Sequence, residues 1–216
     1  MIRFCVGSLF CLVGCLLQSC NLMAGASYIL SEEPQQEAVF VLPDVPTAVF
    51  VDDRRNLLHP SRLRRVVADN ITELLLKENV ITTLISPQDI MRVSAMKDRY
   101  GNILSIGELG KAVGASTVVY VEMTSFALTT DGQTPNPVAN CRVRVIDVDV
   151  KERLFPINDV SYPIIATLSK VDPYNVHSIS EMRKLAEELS KELGKNVAEM
   201  FYLHYTGRLG ENLKRK

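Results

Sequence analysis

Two adjacent carboxylates, Asp52 and Asp53, follow the apolar run Thr47 to Val51. Paired carboxylates at a strand end are the residue types that hold Mg²⁺ in α/β proteins, so a metal-dependent enzyme using Asp52 and Asp53 is one reading. The preferred reading is a solvated strand end balanced by Arg54 and Arg55, because no DxD spacing and no third carboxylate accompany the pair. Gly107 and then Gly110-Lys111 hint at a phosphate loop, which needs a glycine two residues before Gly107 and a hydroxyl residue after Lys111. Those places hold Ser105 and Ala112, and the glycines read as marks of a helix start and stop. His59 precedes Pro60 at a helix start, His177 precedes a helix cap, and His204 is expected on the last turn of the final helix, where a cation complements the dipole. No serine lies in a GxSxG elbow. No catalytic residue, cofactor or metal is assigned beyond the candidates Asp52 and Asp53.

The cysteines carry a clearer message. Cys5, Cys11, Cys15 and Cys20 crowd the first twenty residues and only Cys141 lies beyond them. A disulfide framework would spread its cysteines through the fold. A zinc site would need partners nearby, and the histidines are remote in sequence. The cluster therefore belongs to a leader: Arg3 supplies a positive start, Phe4 to Leu17 an apolar run, and Ser19 a small residue before Cys20. The run is short for a membrane span, which takes about 20 apolar residues.

Leu17-Gln18-Ser19-Cys20 resembles the bacterial lipobox, in which the cysteine thiol is diacylated and the leader is cut just before it. Cys20 is the expected lipidation site. Leu12-Val13-Gly14-Cys15 makes Cys15 the alternative, and Ala24-Gly25-Ala26 offers an ordinary cleavage site as the third choice. Two or three acyl chains anchor stably, since each buried CH₂ contributes about 0.8 kcal/mol. Asn21 after the cysteine resembles an outer-membrane address. Loss of residues 1–19 removes Arg3 alone from the charged residues and leaves a net charge of −2 against −1 for the whole chain. With acids and bases interspersed at near balance, there is no basic field for phosphate neutralisation, which argues against nucleic acid.

The remaining chain has the composition of an ordinary globular domain, 47% apolar and 23% charged. Asn21 to Val45 is polar through Ser31 to Glu37 and reads as a tether, with Val39 to Leu42 as an expected short edge strand. Thr47 to Val51 reads as a buried strand. Pro60 to Glu78 reads as a helix with Leu63, Val66, Val67, Asn70 and Leu74 on one stripe, widened by Ile71 and Leu75, and with Arg62, Arg64, Arg65, Asp69 and Glu73 on its wet side. Val80 to Ile85 is a second strand, and Ser86-Pro87-Gln88-Asp89 starts another helix. Ser105 and Glu108 form a capping box for a helix stopped by Gly114. Ser116 to Ala127 and Ala139 to Val150 are predicted strands of a hairpin around the turn Thr130 to Pro137, with Cys141, Val143 and Val145 alternating against Arg142 and Arg144. Val160 to Leu168 is a strand that Pro163 confines to an edge. The last helix starts at the Ser178/Glu181 capping box, buries Met182, Leu185, Ala186, Leu189, Leu193, Val197, Met200 and Phe201, and is expected to run about 27 residues to Gly207. Lys214-Arg215-Lys216 is a basic tail.

The predicted fold is a single α/β (α+β-like) domain, a mixed sheet of about five strands with helices packed on it and a long C-terminal helix. The segments are a lipoprotein signal peptide at 1–19, a lipidated cysteine and tether at 20–45, an α/β envelope domain at 46–207 and the tail at 208–216. From TAVFVDD through LISPQDI, SIGELGKAVGASTVVYVEM and VRVIDVDVKERLFP, the chain resembles bacterial envelope lipoproteins related to the penicillin-binding-protein activator lipoprotein, the curli secretion lipoprotein and the amino-terminal domain of the Tol translocation protein. The resemblance implies a non-catalytic domain that binds or scaffolds a partner protein in envelope assembly or transport. The expected partners are a membrane, through the lipid anchor, and an envelope protein. A homo-oligomer, as in a ring-forming subunit of an export apparatus, is an alternative.

Overall fold

The computed structural model describes residues 35–98, 103–132, 134–168, 171 and 178–206. In chain order the elements are β1 (Gln35–Gln36), β2 (Thr47–Asp52), α1 (Arg62–Lys77), β3 (Leu84–Ile85), α2 (Pro87–Asp98), α3 (Ile106–Val113), β4 (Thr117–Thr129), β5 (Pro135–Asp147), β6 (Arg153–Phe155), β7 (Tyr162–Thr167), α4 (Ile179–Glu199) and β8 (His204–Tyr205). Residues 37–204 form one compact unit, and β1 and β8 pair in a separate two-stranded sheet. The larger unit is an α+β domain with a mixed sheet and, among the described residues, four helices.

The sheet order is β3-β2-β4-β5-β6, and β7 pairs with the other stretch of β5. β2 runs parallel to β3 and β4, while β4–β5, β5–β6 and β5–β7 are antiparallel. β2 is buried along its whole length, as a parallel strand covered on both faces must be. Its period of two sends Val49 and Val51 to one face, with Val119, Val121, Val143 and Val145 beside them. There they meet Leu63, Val67 and Ile71 of α1 and Leu189, Leu193 and Val197 of α4. Ala48 and Phe50 point the other way, with Val118 and Tyr120, and are covered by Ile90 of α2 and Leu109 of α3.

Both capping-box expectations hold in detail. Ser105 and Glu108 bond reciprocally at the start of α3, as do Ser178 and Glu181 at the start of α4, and α3 ends at Gly114 with φ 77°. The α1 stripe is rotated slightly from the predicted one. Leu63, Val67, Ala68, Ile71 and Leu75 are its buried residues, and Val66 and Leu74 are only half-buried. α1 and α4 cross closely at Gly194, where an added Cβ would stand 2.9 Å from both Asn70 Oδ1 and the Val67 carbonyl oxygen. The hairpin of β4 and β5 forms, with register shifts after Met123 and after Ala127. The Val160 to Leu168 expectation holds as β7, with Pro163 on an outer strand.

Four expectations need correction. Val39 to Leu42 is not a strand. The amides of Val39 and Phe40 donate to the Met200 carbonyl at 2.8 and 3.2 Å, and Leu42 is buried, so residues 37–45, assigned above to the tether, are packed on the domain. Val80 to Ile85 pairs only through Leu84 and Ile85. The last helix ends at Glu199, not near Gly207, because the Met200 carbonyl serves those incoming amides and the chain turns there. His204 therefore lies in β8 rather than on a helix. Gly207 and Lys214 to Lys216 lie outside the described residues, as do Cys15, Cys20 and His177. No described helix is long and apolar enough to cross a membrane.

Candidate functional site

Asp52 is the last residue of β2 and sits opposite Glu122 of β4 in the parallel register. Being in phase with Phe50, its side chain falls on the α2/α3 face, where it is 6% exposed. A carboxylate that dry needs partners, and it has two. Tyr120 Oη donates to Asp52 Oδ2 at 2.7 Å, and Arg54 Nε lies 2.9 Å from the same oxygen. Asp53 turns elsewhere. Its Oδ1 accepts from the Leu57 amide and its Oδ2 from the Leu58 amide, both at 2.8 Å, so it ties the loop between β2 and α1. The loosely solvated, exposed pair expected from the sequence is thus replaced by one buried and one loop-closing carboxylate, and the salt-bridge partner is Arg54, not Arg55.

Around Asp52 the polar contacts extend along the sheet. The Tyr120 ring lies 6.0 Å from that of Phe50 and carries the Arg144 guanidinium 4.6 Å from its centre. Arg144 Nη2 donates to Glu122 Oε2 at 3.1 Å, while its Nε is buried without a partner. Burial first, and then the bond to Asp52, pushes the Tyr120 hydroxyl well above the usual tyrosine range. The phenol is held as a hydrogen-bond donor and is a poor base.

Next to Asp52 opens a cavity of about 100 Å³, between the end of β2, the first turn of α1, α2 and the approach to α3. Its lining includes Phe50, Asp52, Arg54, Arg64, Ser94 and Leu109. Arg64, expected on the wet side of α1, folds back over the strand end. Its Nε donates to the Val51 carbonyl at 2.6 Å and its Cζ stands 5.5 Å from the Phe50 ring centre.

The remaining candidates are not brought to this site. Gly107 and Gly110 belong to α3. An added Cβ at Gly110 would meet Val118 Cγ2 at 2.8 Å and Val148 Cγ2 at 2.5 Å, so this glycine serves close helix-sheet packing. His59 is exposed, and His204 has Nδ1 3.1 Å from the Tyr202 carbonyl oxygen. Burial pushes the Cys141 thiol up to about 12, which keeps it protonated and unreactive. Among the described residues no three His, Cys, Asp or Glu side chains gather as a metal site would require. The sequence reading missed Tyr120, Glu122, Arg144 and Arg64. The first three are signalled only by the strand register, which places residue 52 beside 122 and Tyr120 beside Arg144.

No family model matches the sequence, and no curated protein matches it either. Among solved structures the chain is similar to the PelC dodecamer from Paraburkholderia phytofirmans, with 12% identity over 79% of this chain and 96% of that one and a TM-score of 0.43. It is similar to the hypothetical protein CT253 from Chlamydia trachomatis, with 19% identity over 72% of this chain and 97% of that one and a TM-score of 0.42. Lipoprotein GNA1162 from Neisseria meningitidis matches with 12% identity over 68% and 97%, at a TM-score of 0.39. A lipoprotein is thus among the structures it resembles, and likeness at this level bears on neither activity nor partner.

Proposed function

We propose that this chain is a non-catalytic, lipid-anchored protein of the bacterial cell envelope that binds or scaffolds a partner protein in assembly or transport. The observation that carries the proposal is the leader, an apolar run behind Arg3 that closes on Leu17-Gln18-Ser19-Cys20. In this reading residues 1–19 are the signal peptide, Cys20 is the acylated amino terminus, and the polar stretch through Glu33 and Gln36 spaces the folded unit from the bilayer. Asn21 directs the protein to the periplasmic side of the outer membrane. The two candidate metal carboxylates are already spent on internal bonds, Asp52 on Tyr120 and Arg54 and Asp53 on two loop amides. A divalent ion at that place would have to displace them.

Mass spectrometry of the amino-terminal peptide from the membrane fraction tests the anchor. A diacylated or triacylated Cys20 is expected, and Cys20→Ala should leave the precursor uncut. An acylated Cys15 moves the site to the alternative, and an unmodified start at another residue removes the anchor. Crosslinking in intact cells followed by detergent extraction tests the partner: a discrete heterologous adduct is expected, and a ladder of self-adducts would favour a ring-forming homo-oligomer.

A further inference from the structure

The cavity at the end of β2 contains a guanidinium whose orientation is set and whose outer edge is unused. Arg64 is half-buried, with Nε committed to the Val51 carbonyl and one face to the Phe50 ring. These two contacts fix the plane of the group. Its two Nη groups meet no acceptor among the described residues. The acids on the same wall are already occupied, Asp52 by Tyr120 and Arg54 and Asp53 by the Leu57 and Leu58 amides. Ile103, Leu104 and Leu109 add an apolar side to the lining. The volume, about 100 Å³, is below the ~150 Å³ of an apolar cavity that takes benzene. A group of a few heavy atoms fits, and a nucleotide does not.

We propose that this cavity binds a small aliphatic monocarboxylate, with the carboxylate on the Nη edge of Arg64 and the hydrocarbon against Leu104 and Leu109. A preset guanidinium fork matches the planar carboxylate. Phosphate would offer it a similar edge, but it brings a second negative charge beside Asp52 and Asp53 and has no use for the apolar wall. The site makes no use of the lipid anchor and stands or falls separately from it.

Saturation-transfer NMR on the full chain as purified from cells, with propionate as the probe, tests the assignment. Transfer to the propionate methyl that saturates in the low millimolar range is expected, together with shifts of the Leu104 and Leu109 methyl resonances in the wild type. Arg64→Gln should weaken binding at least tenfold, and Arg64→Lys, which keeps the charge and loses the fork, at least threefold. Circular dichroism establishes that each variant is folded, and the wild-type methyl shifts need no variant. Absence of transfer, shifts confined to other methyls, or equal binding in a folded Arg64→Gln protein overturns the proposal. Inorganic phosphate that binds as tightly as propionate, with the same dependence on Arg64, overturns the choice of carboxylate.

Discussion

The two faces of the sheet are built from the same strands, one residue out of phase, and they do opposite things. Under α1 and α4, Val49, Val51, Val119, Val121, Val143 and Val145 are each fully buried, and their side chains join one apolar cluster with those of the helices. On the other face Phe50 and Tyr120 begin in the same way beneath α2 and α3, and then the surface changes to Asp52, Glu122 and Arg144. The first face is held by burial and shape, which tolerate no charge and no extra atom. The second is held by polar pairs, Asp52 with Tyr120 and Arg54 and Glu122 with Arg144, and it borders the cavity. A single alternating pattern thus supplies both a rigid base and a polar rim where the carboxyl end of β2 lies beside the middle of β4.

That contrast is most sharply broken on the helix face. Leu189→Asp should cost about 3–5 kcal/mol, because it buries a charge with no partner. Urea denaturation should show the midpoint falling steeply, and a wild-type midpoint would mean that the α4 stripe is not packed on the sheet. Gly194→Val should cost about 1–3 kcal/mol by forcing α1 and α4 apart at Asn70 and Val67, read by the same titration.

The rim should respond more mildly. Tyr120→Phe removes one donor from a buried carboxylate that retains Arg54, and should cost about 1–2 kcal/mol at neutral pH. The pH dependence gives a second readout. The folded Tyr120 hydroxyl titrates above its unfolded value of 10, so its contribution is fully present below about pH 10 and fades as pH rises toward the folded value. Tyr202, pushed up to about 12 chiefly by burial, acts in the same direction. The alkaline loss of stability should therefore become shallower in Tyr120→Phe without vanishing, and an unchanged slope would show that folding does not raise the Tyr120 hydroxyl above its unfolded value. The smallest effect is expected from metal. A divalent ion bound at a hundred times its dissociation constant adds about 2.7 kcal/mol, yet millimolar Mg²⁺, Mn²⁺ or Ca²⁺ should leave the Tm unchanged. A rise that disappears when Asp52 and Asp53 are both changed to Asn would turn the rim into a metal site and revive the enzyme reading.

What could be read from the sequence was local. The Ser105/Glu108 and Ser178/Glu181 boxes lie three residues apart and formed as their spacing requires. The β4–β5 hairpin and the outer place of β7 followed from a turn-rich stretch and from Pro163. The failures depended on partners distant in the chain. The helix ends at Glu199 because Val39 and Phe40 claim the Met200 carbonyl, and no pattern within residues 178–207 reports that. Asp52 was legible as a strand-end carboxylate, but its partner Tyr120 lies 68 residues away and is reached only through the parallel register of β2 and β4. Arg64 obeyed the helical period and was assigned to the wet side. Its long side chain instead reached back to the strand end, a freedom that periodicity does not capture.

The outer strand β7 has a consequence for how copies of this chain behave when crowded. The Leu168 amide donates inward to the Pro137 carbonyl, so strand alternation turns the main-chain groups of residues 163, 165 and 167 to the open side. Pro163 has no N–H to offer there, and Asn196 Nδ2 of α4 already occupies the Ile165 carbonyl at 3.0 Å. A bare edge beside an exposed isoleucine would be a template for strand addition and fibre growth. Here one donor is missing and one acceptor is stoppered, so the sheet ends at β7 by chemistry as well as by topology.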